Sequence, residues 1–163
     1  MTTAVEFKKV DIIFGDRSRE ALAMAHAGAH RSDILAKTGA VLGATGANLT
    51  VNEGEISVLM GLSGSGKSTL LRAVNGLNKV TGGQVLVRDG ERMVDVASCD
   101  EATLRHIRQK QVAMVFQQFA LLPWRTVEGN IALALDLIAE AHAIATVKLE
   151  RQRRVLSEKA RKT

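Results

Sequence analysis

The sequence lacks most of what would place a chain outside the cell or across a membrane. Cys99 is its single cysteine, so no internal disulfide can form and a reducing compartment is expected. The opening residues MTTAVEFKKVDIIFG hold no apolar stretch of signal-peptide length. The most apolar later segment, Ile131 to Val147, is interrupted by Asp136, Glu140 and His142 and is too broken to span a bilayer. There is no internal repeat and no low-complexity linker. These absences predict a soluble, cytoplasmic chain. A basic groove is missing too. The formal net charge is +5, but Lys148 to Thr163 alone carries seven basic and two acidic residues, an excess of five. Residues 1–147 are left balanced, so no nucleic-acid partner is expected, and the tail reads as a solvated helix face or a frayed end.

What is present suffices for one domain: 163 residues, 46% of them apolar. Its most informative stretch is Gly61 to Thr69, GLSGSGKST, directly after the apolar run Ile56-Ser57-Val58-Leu59-Met60. This is the pattern G-x-x-x-x-G-K-[ST] in a strand, glycine-rich loop and helix context. Glycines at 61, 64 and 66 allow successive backbone N–H groups to turn inward around an anion. The helix opening at Lys67 adds unpaired N–H groups and its positive dipole end. The phosphate-binding set is therefore Gly61, Ser63, Gly64, Ser65, Gly66, Lys67, Ser68 and Thr69. Within it Lys67 reaches the β- and γ-phosphates, and Ser68 offers its hydroxyl to Mg²⁺.

The rest of the chain reads as an α/β protein with a β-rich beginning. Val5 to Phe14 is a strand, turned at Gly15-Asp16. Ser18 to Ala36 is read as one helix ending at Gly39. Ala47 to Val51 is a short strand. Glu55 to Met60 suits a strand buried on both faces of a parallel sheet. A helix from Lys67 to Asn75, a strand from Gln84 to Arg88 and a turn at Asp89-Gly90 follow. Ser98 and Glu101 have capping-box spacing ahead of a helix over Glu101 to Gln109. Gln111 to Phe116 is a further apolar strand, and Thr126 caps a long helical stretch to about Lys162. The four histidines, His26, His30, His106 and His142, read as solvated or packed helical residues, not ligands.

Taken with GLSGSGKST, the string VAMVFQQFALLPWRTVEGNIA makes the chain resemble the ATP-binding subunit of ABC transporters. The resemblance covers roughly residues 5–135. It implies a P-loop NTPase core of the ABC ATPase type, binding ATP and Mg²⁺. Residues 1–126 would form that core, and 127–163 the start of a helical subdomain with the basic tail. Gln117 matches the family's Q-loop glutamine, which approaches Mg²⁺ and the attacking water. Phe119, Leu121, Leu122, Pro123 and Trp124 would line the groove that receives the membrane permease. For Phe119 and Trp124 ordinary core packing stands as an equal alternative. The segments ILAKTG (34–39) and GANL (46–49) before VNEGEISVLMGLSGSGKSTLLRAVNGL are similar to the osmoprotectant-importer branch, which carries glycine betaine, proline betaine and choline. There the opening strand presents an aromatic to adenine. Phe14 is the matching residue, with a buried strand phenylalanine as its alternative. A second ATPase subunit, and a location on the inner face of the cell membrane, are also implied.

The chain departs from the family beyond the Q-loop. Val127 to Thr163 contains no LSGGQ-like signature, no apolar run ending in Asp-Glu and no histidine outside the alanine-rich stretch around His142. This predicts a truncated ATPase with an incomplete central sheet, an unpaired strand edge and ATP turnover no faster than background. Three other readings remain: a small-molecule kinase or GTPase, an ABC-type ATPase acting on DNA, and a non-catalytic binding module. No guanine-reading NKxD string or arginine-bearing lid supports the first, and the neutral body argues against the second.

Overall fold

A computed structural model of the chain describes residues 1–117 and 121–139. The chain divides into two compact units, Met1–Val115 and Phe116–Thr163. In the first, the elements are β1 (Thr3–Phe14), α1 (Ser18–His26), α2 (Arg31–Thr38), β2 (Val41–Asn52), α3 (Lys67–Val74), β3 (Gly82–Asp89), β4 (Arg92–Asp95) and α4 (Glu101–Lys110). Its strands form one antiparallel sheet in the order β2-β1-β3-β4.

The sheet is organised by β1, which pairs on both sides. Its apolar positions Phe7, Val10 and Ile12 are buried with Val85 and Val87 of β3, Ala73 of α3 and Ile107 of α4. A second cluster of Ile13, Ala21, Ile34 and Ala40 lies under α1 and α2. The strand β2 is longer than the Ala47–Val51 read from sequence because β1 pairs along it from Thr3 opposite Asn52 to Phe14 opposite Val41. The short return strand β4 was not foreseen. It follows from the expected turn, since Asp89 faces Arg92 across Gly90-Glu91.

Several expectations need correction. The single helix from Ser18 to Ala36 is two helices. After His26 the chain closes with Gly28 N–H on the Ala25 carbonyl and Ala29 N–H on the Met24 carbonyl, a Schellman ending with Gly28 at φ +83°. The start of α4 is capped by Asp100, not by Ser98 with Glu101. The Asp100 carboxylate accepts from the Thr103 N–H at 2.8 Å and the Thr103 hydroxyl at 3.0 Å. These bonds, the backbone N–H first, hold its carboxyl below the usual range. Ser98 instead donates to Asp95 at 2.8 Å.

The larger correction concerns the two central strands. Neither Glu55–Met60 nor Gln111–Phe116 is a strand. Ile56 is 90% exposed, Met60 87% and Val115 95%. A strand exists only where a neighbour accepts and donates along its ladder, and among the described residues these segments have none.

In the second unit, residues 127–139 form a helix, α5, that Thr126 caps by accepting the Gly129 N–H at 3.0 Å. Asn130 holds the loop before it. Its side-chain oxygen accepts the Leu122 N–H at 2.8 Å, and its amide donates to the carbonyls of Leu122, Arg125 and Thr126. Phe119, His142 and the basic tail lie outside the described residues.

Candidate nucleotide site

The phosphate loop has the backbone its sequence calls for. Gly61, Gly64 and Gly66 take φ of +150°, +77° and +93°. Position 66 is restricted twice over: a Cβ there would lie 2.3 Å from the Gly43 carbonyl oxygen of β2. The loop is thus seated directly on the strand backbone. From Gly66 the chain enters α3, and Leu70 N–H closes the first turn on the Gly66 carbonyl at 2.9 Å. The helix has no side-chain cap and no acidic residue in its first turn. Within that turn no carboxylate competes for its leading N–H groups and dipole, which suits a phosphate.

Lys67 folds back over the loop. Its ammonium donates to the carbonyls of Gly61 at 2.8 Å and Leu62 at 2.7 Å, and lies 3.3 Å from the Ser65 hydroxyl. A lysine charge beside an uncapped helix start is complementary to a di- or triphosphate. Ser68, the expected Mg²⁺ ligand, is exposed at the start of α3. Mg²⁺ is usually held by few protein oxygens, with waters and substrate phosphates completing its shell, so one hydroxyl beside a phosphate cradle fits it. Among the described residues no cluster of three or more His, Cys, Asp or Glu offers an all-protein metal cage.

Phe14 ends β1 at 41% exposure, whereas Phe7 on the same strand is 5% exposed. Phe14 is therefore not a core residue. Its ring meets the phosphate-loop helix across Gly43: a Cβ at 43 would lie 2.9 Å from the ring and 2.9 Å from the Thr69 methyl. Gly43 was missed in the sequence, although a glycine inside a strand signals close approach. Gln117 belongs to the second unit, where it is exposed. Trp124 is 77% exposed and Leu121 67%, so core packing does not explain them. The loop Leu121–Arg125 and the start of α5 border an apolar groove of 320 Å³. Two histidines have carboxylate partners: His26 lies 3.2 Å from Asp11, and His106 3.1 Å from Asp89.

Comparison with known proteins agrees with this geometry. The family model described as ABC transporter matches residues 44–162. The glycine betaine/proline betaine transport ATP-binding protein ProV of Escherichia coli is 47% identical over 137 residues, which is 84% of this chain and 33% of ProV. The methionine import ATP-binding protein MetN of Cereibacter sphaeroides is 53% identical over 97 residues, covering 60% of this chain and 26% of MetN. The chain thus spans about a third of ProV and a quarter of MetN. Among solved structures, the dimeric ATP-binding cassette MJ0796 bound to ADP and Pi superposes with a TM-score of 0.58 at 28% identity, over 82% of this chain and 47% of that one. A phosphate loop seated on a β-sheet, a family match over most of the sequence and a shared fold converge: the chain belongs to the ABC transporter family.

Proposed function

We propose that this chain is the nucleotide-binding part of an ATP-driven importer for methylated ammonium solutes of the glycine betaine, proline betaine and choline class. The observation that carries the reading is the phosphate loop, with Lys67 over it and no acidic group at the helix start. The N–H groups of Ser63 to Thr69 bind and orient the β- and γ-phosphates, and Lys67 offsets their charge. Mg²⁺ would supply charge neutralisation on the same phosphates; Ser68 offers it a hydroxyl, and the family resemblance assigns Gln117 to it as well. Phe14 stacks on adenine. Gln117 to Trp124 dock on the permease at the inner membrane face, supported by the exposure of Leu121 and Trp124. A second ATPase subunit completes the assembly, as in the dimeric cassette.

The solute class is supported by how far the similarity extends. ProV matches 84% of the chain, against 60% for the methionine importer's subunit, despite the latter's higher identity. Calorimetry with Mg-ATP tests the nucleotide reading. Lys67→Ala should lose ten- to a hundredfold in affinity, since a charged hydrogen-bonded contact contributes about 1.5–3 kcal/mol. Equal affinity in the two proteins would refute it. The 163 residues should also turn ATP over no faster than background. Gln117 can orient water but is no base, and binding ground and transition states equally gives no acceleration. Phosphate release that disappears in Lys67→Ala would reopen the search for a catalytic carboxylate, beginning with Glu128.

A further inference from the structure

The insertion formed by α1 and α2 has no part in the reading above, yet it reaches the phosphate loop. Arg31, the first residue of α2, donates from Nη1 to the Gly64 carbonyl oxygen at 3.1 Å. We propose that Arg31 is a positioning residue for that loop: by holding the Gly64 carbonyl outward, it keeps the Ser65 N–H turned to the phosphate side.

In a trans peptide plane the carbonyl of one residue and the N–H of the next point in opposite directions. The 64–65 plane shows both ends of this. The Gly64 oxygen faces Arg31, while the Ser65 N–H faces the Leu62 carbonyl oxygen at 3.3 Å. The Lys67 ammonium lies on that same Leu62 oxygen, 2.7 Å away, so the Ser65 N–H and the lysine charge converge on one side of the loop. Apart from Arg31, the restraint on this plane among the described residues is the long Ser65 N–H bond to the Leu62 carbonyl oxygen. Gly64 is at φ +77°, and a Cβ built there meets nothing within 4 Å. Without Arg31 only that 3.3 Å bond opposes rotation of the Gly64 oxygen inward, which would set a negative dipole against a phosphate.

The arm that carries Arg31 is firmly held. Ile34 of α2 is fully buried, Thr38 donates to the Ile34 carbonyl at 2.6 Å and accepts from the Ala40 N–H at 3.1 Å, and Arg17 donates to the Lys37 carbonyl at 2.8 Å. The insertion therefore acts as a brace with one contact point.

The inference rests on the phosphate-binding reading, and the test separates the two. Magnesium tripolyphosphate is titrated into wild type, Arg31→Met, Arg31→Gln and Arg31→Lys by calorimetry at low and high salt, with amide exchange at Ser65 followed by NMR. Arg31 is exposed, so its replacement should leave the melting midpoint unchanged. Met and Gln should each weaken binding about three- to tenfold, at both salt concentrations, with faster Ser65 exchange. Lys should recover only part, because it lacks the planar fork. Wild-type affinity in Arg31→Met overturns the brace alone. A loss that vanishes at high salt also overturns it, since it would mark remote attraction in place of a fixed peptide plane. Folded wild type that binds no tripolyphosphate overturns the phosphate reading and the brace together.

Discussion

Two parts of the first unit both carry large apolar side chains and behave oppositely. In β1 and β3, Val10, Ile12 and Val85 are wholly buried; in 55–60, Ile56 and Met60 stand at 90% and 87% exposure. The difference is not hydrophobicity. The strand β1 has a hydrogen-bonding neighbour on each side, so its apolar face can be pressed against α3 and α4. The 55–60 run leads into the phosphate loop and has an apolar groove of 320 Å³ beside it, bordered by Leu59, Leu71, Val112 and Val115, but among the described residues it has no ladder. Burial follows pairing here, and composition alone does not produce it.

The sharpest way to break this contrast is a matched pair of truncations read by urea unfolding. Ile12→Ala removes a side chain from a closed core and should cost about 2–5 kcal/mol, while Ile56→Ala should stay within about 0.5 kcal/mol. Similar losses at the two sites would show that 55–60 is packed in solution. Next comes the point where the loop that follows the 55–60 run meets the sheet, at β2. Gly66→Ala sets a Cβ against the Gly43 carbonyl at a positive φ, and a cost of about 1–3 kcal/mol is expected with loss of Mg-ATP binding. Unchanged binding would mean that the loop is not seated on β2.

A gentler test concerns Phe14, the exposed phenylalanine of β1. Phe14→Ala should weaken ATP by about 0.5–1.5 kcal/mol and leave tripolyphosphate unaffected, because only the base offers a face to the ring. If ATP and tripolyphosphate affinities are both unaltered, Phe14 has no part in base binding. The smallest effect is expected at Asp89. Hydrogen bonds from Arg92 first and His106 next hold its carboxyl below the usual range. That stability is present above the carboxyl's unfolded pKa and is lost as pH falls through the lower folded one. Asp89→Asn should therefore flatten the acid side of a stability-against-pH curve; an unchanged curve would remove Asp89 from it.

The phosphate loop was legible because its requirements are local: positive-φ glycines, a lysine and a helix start lie within nine consecutive residues. The Gly39 stop and the Thr126 cap were legible for the same reason. The break at Gly28 was not, because helical composition runs through it and only the hydrogen bonds of the turn reveal the ending. Strands at 55–60 and 111–116 were inferred from apolar runs, which report the wish to be buried but not the presence of a neighbour. Arg31 left no trace at all, since nothing in its local sequence marks a contact 33 residues away.

The glycine at position 43 has a consequence of its own. The Phe14 ring, the Thr69 methyl and the Ile12 carbonyl all crowd the volume that a side chain would need. The end of β1 and the first turn of α3 are therefore geared through a bare backbone, with no flexible side chain as a cushion. A side chain at 43 would have to push the ring, the methyl or the strand backbone aside, so the two elements can sit this close only while that position stays bare.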